Sequence, residues 1–551
     1  MITVGLYGVR DTTSKLGATY THDHSVAVMR DGRVLSIVEL ERWTGRKHDN
    51  RLDAVISDLL AALVPPDEEV RFSSVNSFVG DSFISADGNL RIEPAGEITI
   101  ARILTPARVR FFPDGLHRRE SRGFIMCHEL AHVASLLPFV GRFEPDSLFV
   151  HIDGGASDSA SSFWAWDGAR ARLLEASWDR LKAPVNNFNA SPLARAILDL
   201  GPGDHLSMPG KLMGYAGHGE ASKAIVAWLE ENRFFLDHPG DPEGILDCVN
   251  RRFGTSHRAF DAHAPLFKDI AASLQAHFEA TVTAAIFDAQ RRTGAKHLYL
   301  AGGAALNIPT NAAIESSGVF ASVHVPPCPS DTGLALGAAA WLELQDRGEL
   351  PRHSPFLGRL GVPDDPVPLE AVPEVAALLA NGAVIGVCNG ASEVGPRALG
   401  HRSLLARPDS VELRRRVSEK IKGREWYRPL APSVCVEVAR EAFGGAVTDS
   451  HLAPFMLGAF RLREGWSSRF SGVLHHDGSL RAHVVSDDPE NRFLHAVLLE
   501  LWRAHGVAGL INTSFNGPGE PMVHRHDDAI PLARRLGLDA VVVHGSVHRC
   551  R

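Results

Sequence analysis

CHELAHVASLL, residues 127–137, places His128 and His132 four apart in a run whose apolar residues recur at helical spacing. Positions i and i+4 share one face of a helix, so both imidazoles can reach one ion. Two histidines make half of a metal site, and the other ligands must come from elsewhere. Carboxylates at strand ends are natural suppliers. Two stand out: Asp153 in SLFVHIDGGASD and Asp331 in PPCPSDTGLALGAAAW. The same letters fit H-E-x-x-H, the zinc metalloprotease signature, with Glu129 as general base. A helix with two ordinary histidines and no metal is the plainest account. The rest of the chain decides among the three.

With 551 residues, the chain has room for roughly three or four domain-sized units. A net charge of -8 offers no basic field for nucleic acid. The six cysteines are dispersed and form no C-x-x-C pair, which points to free thiols in a reducing cytoplasm. MITVGLYGVRDTTSK lacks the basic-then-apolar order of a secretory leader. No run reaches the ~18–20 apolar residues that span a bilayer. The expected partners are therefore small molecules, with no nucleic acid and no membrane, in the cytoplasm.

ITVGLYGV reads as a buried strand, and SVAVMRDGRVLSIVEL as a hairpin around Asp31-Gly32. Between them lies Thr21-His22-Asp23-His24-Ser25, and this order resembles the opening of an actin-like ATPase lobe. ERWTGRKHDNR follows, its Arg46, Lys47 and His48 reading as a solvated face until context says otherwise. SLFVHIDGGAS is a strand ending in Asp153-Gly154-Gly155, where glycine lets a backbone approach a ligand. SSFWAWDGARARLLEAS is a second hairpin. PGKLMGYAGHG, residues 209–219, carries Lys211 and His218, and its glycines predict a loop meeting a helix. A long helical pattern then ends at Gly294. KHLYLAGGAALNIPTNAAI is a strand, a turn through Gly302 and Gly303, and a helix start at Asn307, a combination that can cradle a nucleotide. No internal repeat shows by eye.

The Pro- and Gly-rich stretch at 351–375 marks a linker, taken as 356–375, between domains of 1–355 and 376–551. Three segments of the second domain concentrate polar chemistry. ASEVGPRALGHRSLLARP holds Glu393, Arg397, His401 and Arg402; EKIKGREWYRPLAPSV holds Lys422, Arg424 and Arg428; GVAGLINTSFNGPGEPMV holds Asn512, Ser514 and Asn516. Cations in excess of nearby acids, beside Gly, Pro and Trp, suit forks aimed at phosphate oxygens. Structural ion pairing is the alternative.

At this point the chain resembles the O-carbamoyltransferases of antibiotic and nodulation-factor biosynthesis. The resemblance rests on THDHSVAVMRDG, ERWTGRKHD, HELAHVAS, IDGGAS, GKLMGYAGHG, LAGGAALN, PSDTGLALGAA, EVGPRALGHRSLLARP, KGREWYRPLAPS and INTSFNGPGEP, in the family's order along almost the whole chain. It implies an α/β protein: a two-lobed actin-like (ASKHA) N-terminal domain and a smaller α/β domain similar to threonylcarbamoyl-adenylate synthases. It also implies two steps. Carbamoyl phosphate and ATP, with Mg2+, give carbamoyl-adenylate in the C-terminal domain, and the N-terminal domain moves the carbamoyl group to a natural-product hydroxyl. The family's metal ligands fall on His128, His132, Asp153 and Asp331. Iron is the implied ion, with Mn, Zn and Co open to the same donors. Carbamoyl phosphate and nucleotide ligands fall on Arg397, Lys422, Arg424, Arg428, Asn512, Ser514 and Asn516. The actin-like nucleotide loop falls on Gly154, Gly155, Lys211, Gly302, Gly303 and Asn307. His22 and Lys47 match positions beside the transferred group, His22 as candidate base or orienting group. Two departures stand out. Glu129 replaces a His or a small or apolar residue, and Ala156-Ser157-Asp158 follows the glycines where many members carry Gly-Glu. Besides the protease, the alternatives are a non-catalytic actin-like nucleotide-binding protein and a tRNA acceptor, against which the net charge speaks. Trp178 and Phe188 could shape an apolar acceptor pocket or belong to the core.

Overall fold

The computed structural model describes residues 1–9, 21–65, 67–75, 83–112, 119–201, 204–238 and 240–550. The polar loop at residues 21–25 is described and runs into the second strand at Ser25, whereas residues 10–20 before it lie outside the described residues. β1 (Ile2–Tyr7) pairs antiparallel with β2 (Ser25–Arg30), and β2 with β3 (Arg33–Glu39). Asp31 and Gly32 turn this hairpin at positive φ, as an Asp-Gly pair should. β4 (Val70–Val75) lies parallel to β1 on its other side. β5 (Phe83–Ile84), β6 (Leu90–Pro94) and β7 (Leu104–Phe111) form an antiparallel edge, β7 against β8 (Arg119–Met126), which is parallel to β4. The sheet order is β3-β2-β1-β4-β8-β7-β6-β5.

The second sheet repeats that plan. Its strands are β9 (Ser147–Ile152), β10 (Ser161–Trp166), β11 (Ala171–Ser177), β12 (His297–Ala301) and β13 (Ser322–His324), in the order β11-β10-β9-β12-β13. Two antiparallel neighbours lie on one side of the first strand and two parallel ones on the other, as around β1. In both sheets the fifth strand of the shared plan feeds a helix, His128–Ala134 after β8 and Leu334–Arg347 after β13. These two helices pack on each other in one core with Tyr7, Phe149 and Tyr299. Two such lobes meeting through paired helices are the actin-like architecture.

One local expectation needs correction. Residues 209–219 are not mainly a loop: Met208–Ala216 is a helix, with Pro209 in its first turn. Its Gly214 suits packing, since a Cβ there would stand 3.0 Å from Cδ of Pro429.

The C-terminal domain is a mixed seven-stranded sheet among the described residues. From edge to edge its strands are His483–Val485, Ala431–Cys435, Leu510–Ser514, Arg402–Ala406, Ile385–Cys388, Ala540–Val543 and Ser546–Arg549. Helices Val372–Ala380 and Arg492–His505 pack together over its apolar core. Within 356–375, Phe356–Gly358 forms a short strand paired with Ser392–Glu393. No helix of the described residues is long and apolar enough to cross a membrane.

Candidate functional site

The helix at 128–134 starts directly after β8, so His128 and His132 face the seam between the lobes. Asp153 ends β9, and Asp331 opens the short turn before Leu334–Arg347. The four side chains converge. The Nε2 atoms of His128 and His132 are 3.0 Å apart. Asp331 Oδ1 lies 3.7 Å from His128 Nε2 and 3.5 Å from His132 Nε2, and Asp153 Oδ2 lies 3.7 Å from His132 Nε2. Donors about 2.1 Å from one ion stand about 3.0 Å apart at right angles and about 3.4 Å apart at tetrahedral angles. The spacing of His128, His132 and Asp331 therefore fits a shared divalent ion, and Asp153 adjoins that trio through His132, in a second close group with His132 and His151. His132 Nδ1–H donates to the Pro329 carbonyl at 3.0 Å, which turns the Nε2 lone pair toward the cluster. Burial and the neighbouring His128 push His132 down to about 3, keeping its imidazole neutral. Burial raises Asp153, helped by the Asp331 charge. Burial acts the same way on Asp331, but the facing histidines His22 and His128 outweigh it and hold Asp331 below the usual carboxylate range.

Glu129 does not complete a protease site. It is fully buried, and its Oε1 accepts from Asp158 N at 2.8 Å and from Ser159 Oγ at 3.4 Å. One oxygen is thus committed to the fold, while Oε2 has no hydrogen-bond partner among the described residues. Glu129 instead ties down the segment after the glycines. The two departures from the family pattern thus touch each other.

His22 approaches the cluster from the loop before β2. Its Nδ1 lies 3.0 Å from Asp23 Oδ2 and 4.0 Å from Asp331 Oδ2. Burial lowers His22, but Asp331 and Asp23 overcome it and raise the imidazole to about 9. Lys47 pairs with Glu41 at 2.8 Å and is close enough to Lys422 for its charge to be felt there. Asp23 also holds His48 Nδ1 at 2.8 Å.

The glycine turns split into different tasks. Gly154 N and Gly303 N both donate to the Asp153 carboxylate, each at 2.5 Å. Gly302, at positive φ, packs against Ile152, where a Cβ would meet the carbonyl oxygen at 2.2 Å. Gly155 lies against the half-exposed Trp178 ring. Asn307 caps the following helix and pairs with Gln275, so its amide is occupied within the fold. Lys211 pairs with Glu425 of the C-terminal domain at 2.9 Å. Phe188 is core, packed on Phe278.

In the C-terminal domain Lys422 Nζ donates to the Ser514 carbonyl at 2.8 Å, to Ser514 Oγ at 3.1 Å and to Asn516 Oδ1. Arg397, Arg424 and Arg428 gather beside it with Arg481, which the sequence reading missed. Burial and mutual repulsion lower Arg397 to about 10 and Arg424 to about 9. Only Arg428 has a carboxylate near, Glu425 at 3.7 Å, among the described ion pairs of these four. Cations here outnumber the acids nearby, Glu425 beside Arg424 and Arg428 and Glu520 beside Lys422, an excess that suits an anion. Asn512 is used elsewhere: its amide donates to the Ala398 carbonyl and to Ser433 Oγ. Arg402, grouped with these cations by sequence, donates only to backbone carbonyls and is structural. Tyr7 was also missed; its hydroxyl donates to Asp331 Oδ2 at 2.5 Å. A lone Arg or Tyr in an apolar strand pattern carries no local signal of what it meets.

Two actin-like lobes around a His/Asp cluster, followed by an α/β region with a cation-rich cluster, define a mixed α/β protein of the actin-like class. Residues 126–340 match the family model for the carbamoyltransferase N-terminus, and residues 376–549 match that for the carbamoyltransferase C-terminus. The nodulation protein NolNO of Sinorhizobium fredii is 30% identical over 98% of this chain and 80% of its own length. Nodulation protein U of Bradyrhizobium diazoefficiens is 29% identical over 91% of each chain. A 3'-hydroxymethylcephem-O-carbamoyltransferase of Amycolatopsis lactamdurans is 29% identical over 95% of this chain and 96% of its own. The chain belongs to the carbamoyltransferase family.

Proposed function

We propose that the chain forms carbamoyl-adenylate from carbamoyl phosphate and ATP in its C-terminal domain and transfers the carbamoyl group to a hydroxyl of a natural product in its N-terminal domain. The observation that carries this reading is the cluster of Arg397, Arg424, Arg428 and Arg481 next to Lys422, Ser514 and Asn516, where the cations outnumber the nearby acids Glu425 and Glu520. Mutual repulsion of buried guanidinium groups costs stability unless a polyanion sits among them. ATP and carbamoyl phosphate are polyanions. Loss of phosphate from carbamoyl phosphate to water leaves carbamate, whose oxygen attacks the α-phosphorus of ATP while pyrophosphate leaves. The arginines neutralise the charge that develops on pyrophosphate.

His128, His132, Asp153 and Asp331 would hold a divalent ion, iron or another first-row metal. Such an ion supplies Lewis-acid polarisation of a carbamoyl oxygen. The residues around it position and move protons. Asp23 takes the Nδ1–H of His22, so Nε2 is the nitrogen free to accept the acceptor's hydroxyl proton. Asp331 and Asp23 together hold His22 protonated, and with the Asp331 charge shared His22 would give up that proton and could act as base. The exposed face of Trp178 beside Gly155 offers an apolar platform for the acceptor.

The first test omits acceptor. Protein, carbamoyl phosphate, ATP and Mg2+ are expected to yield pyrophosphate and carbamoyl-AMP by mass spectrometry. ATP binding with no pyrophosphate would favour a non-catalytic nucleotide-binding protein instead. Lys422→Ala is expected to block this step and to spare transfer from supplied carbamoyl-adenylate. His22→Ala is expected to do the reverse, slowing transfer by ~10²–10⁴-fold. A variant that loses both steps equally would contradict the two-site division.

A further inference from the structure

His151 is fully buried, and neither ring nitrogen has a hydrogen-bond partner among the described residues. An imidazole left this way forfeits on the order of 1–3 kcal/mol for each unsatisfied polar group. Such a residue would be replaced by an apolar one unless its nitrogen met something else. Its position suggests what. β9 alternates faces, so Phe149, His151 and Asp153 share one side. That side packs on the helix bearing His128 and His132: Phe149 belongs to the same apolar core as Leu130, Val133 and Ala134. The His151 ring stacks on His132 with centres 5.1 Å apart. One ligand atom from each of His132, His151 and Asp153 lies within 4.8 Å of the others, and His132 is shared with the group of His128 and Asp331.

An ion about 2.1 Å from an imidazole nitrogen lies about 3.2 Å from the ring centre, so two rings on one ion have centres between about 4.5 Å, at right angles, and about 6.4 Å, opposed. The three ring pairs here stand at 4.8 Å for His128–His132, 5.1 Å for His132–His151 and 6.4 Å for His128–His151. The first two fall inside those limits and the third stands at their edge; the donor atoms themselves form two groups that meet at His132, so one ion would have to draw His151 and His128 closer than they now stand. The geometry points to His151 as a third imidazole ligand to the ion held by His128, His132, Asp153 and Asp331. Three imidazoles and two carboxylates make the site selective for borderline ions such as Fe2+, Co2+ or Zn2+ over Mg2+ and Mn2+. This rests on the metal-binding reading proposed above. The sequence carries a trace of it, because His151-Ile152-Asp153 puts two donors at strand spacing just as His128 and His132 sit at helical spacing.

The deciding measurement is X-ray absorption on metal-free full-length protein reloaded anaerobically with one equivalent of Co2+. Three imidazoles per cobalt are expected for the wild type, and two for His151→Phe, which keeps the ring but removes the nitrogens. Competition with a chelator should show at least a tenfold loss of Co2+ affinity in that variant. Two imidazoles in the wild type would overturn the proposal, even if His151→Phe weakened binding, because a residue that merely steadies His132 can also cost affinity. The count is made on the wild type, so a misfolded variant leaves the test intact. A wild type that takes up no cobalt would instead overturn the metal-site reading itself. A Mn2+ affinity equal to that for Co2+ would overturn the selectivity.

Discussion

Arg402 and Arg481 sit in the same domain and do opposite things. Arg402 is fully buried, and its guanidinium donates to the carbonyls of Asn389 at 2.7 Å, Gly390 at 2.9 Å, His401 at 3.1 Å and His524 at 2.9 Å. Removing it takes a donor from four carbonyls, of which His401 O still accepts from Asn389 N at 3.1 Å. Arg402→Met should therefore lower unfolding free energy by roughly 3 kcal/mol or more in urea titrations. Arg402→Lys should recover only part of this, since a point charge cannot span a planar fork. A change below about 0.5 kcal/mol, the level of an ordinary surface site, would show the network to be incidental. Arg481 faces Arg397, Arg424 and Arg428, which with burial hold it well below its ordinary range. Arg481→Gln relieves that repulsion, so the free protein should melt higher. The variant should also lose the extra stability that pyrophosphate gives the wild type, because a ligand stabilises only the state that binds it. Equal stabilisation of both by pyrophosphate would remove Arg481 from the anion site.

The helix pair decides how far the proposed metal ligands can be read as one site. Leu334–Arg347 crosses His128–Ala134 at Gly337, where a Cβ would meet the Ala131 carbonyl oxygen at 1.9 Å and Ser135 N at 2.8 Å. Asp331 precedes one helix and His132 lies within the other, so the crossing sets their separation. Gly337→Ala should force the helices apart, cost roughly 1–3 kcal/mol and lower bound metal per chain by elemental analysis. Full metal content in a destabilised variant would detach the ligands from the crossing. His128 and His132 were legible because helical spacing shows in eleven letters, and Asp153 and Asp331 because acids at strand ends stand out from apolar runs. Their convergence was not legible from periodicity. It follows from two lobes with one strand order, and that repeat lives in topology, not in matching residues. The same limit explains Arg402, whose letters beside glycine look alike whether the fork meets phosphate or carbonyls. It also explains Asn307, whose side chain satisfies the fold's own groups, and Asn512, whose amide nitrogen does so while its Oδ1 has no partner among the described residues.

Across the whole molecule, the actin-like lobes and the C-terminal domain are locked by buried polar contacts as well as apolar ones. Glu39 and Arg42 form a buried pair at 2.7 Å. Arg42 also donates to the carbonyls of Glu393 and Gly395, and Glu39 accepts from Gly395 N at 2.8 Å. Trp43 lies under the Arg525 guanidinium at 4.7 Å, and Lys211 reaches Glu425 beside the cation cluster. The segment carrying Glu393 and Gly395 leads directly to Arg397, so the lock is built into the anion site's own loop. Removing one partner of a buried pair typically costs about 3–5 kcal/mol because the other charge is left uncompensated. The C-terminal domain has its own core, from Val372 to Val542. Arg42→Met should therefore loosen the junction and leave that core intact. Calorimetry should show one transition in the wild type and two in the variant. The variant should still release pyrophosphate from ATP and carbamoyl phosphate while delivering less carbamoyl group to the acceptor, because the adenylate now escapes to water. A single, unshifted transition would mean that apolar packing alone joins the domains. Equal loss of both steps would mean that the lock shapes the anion site itself.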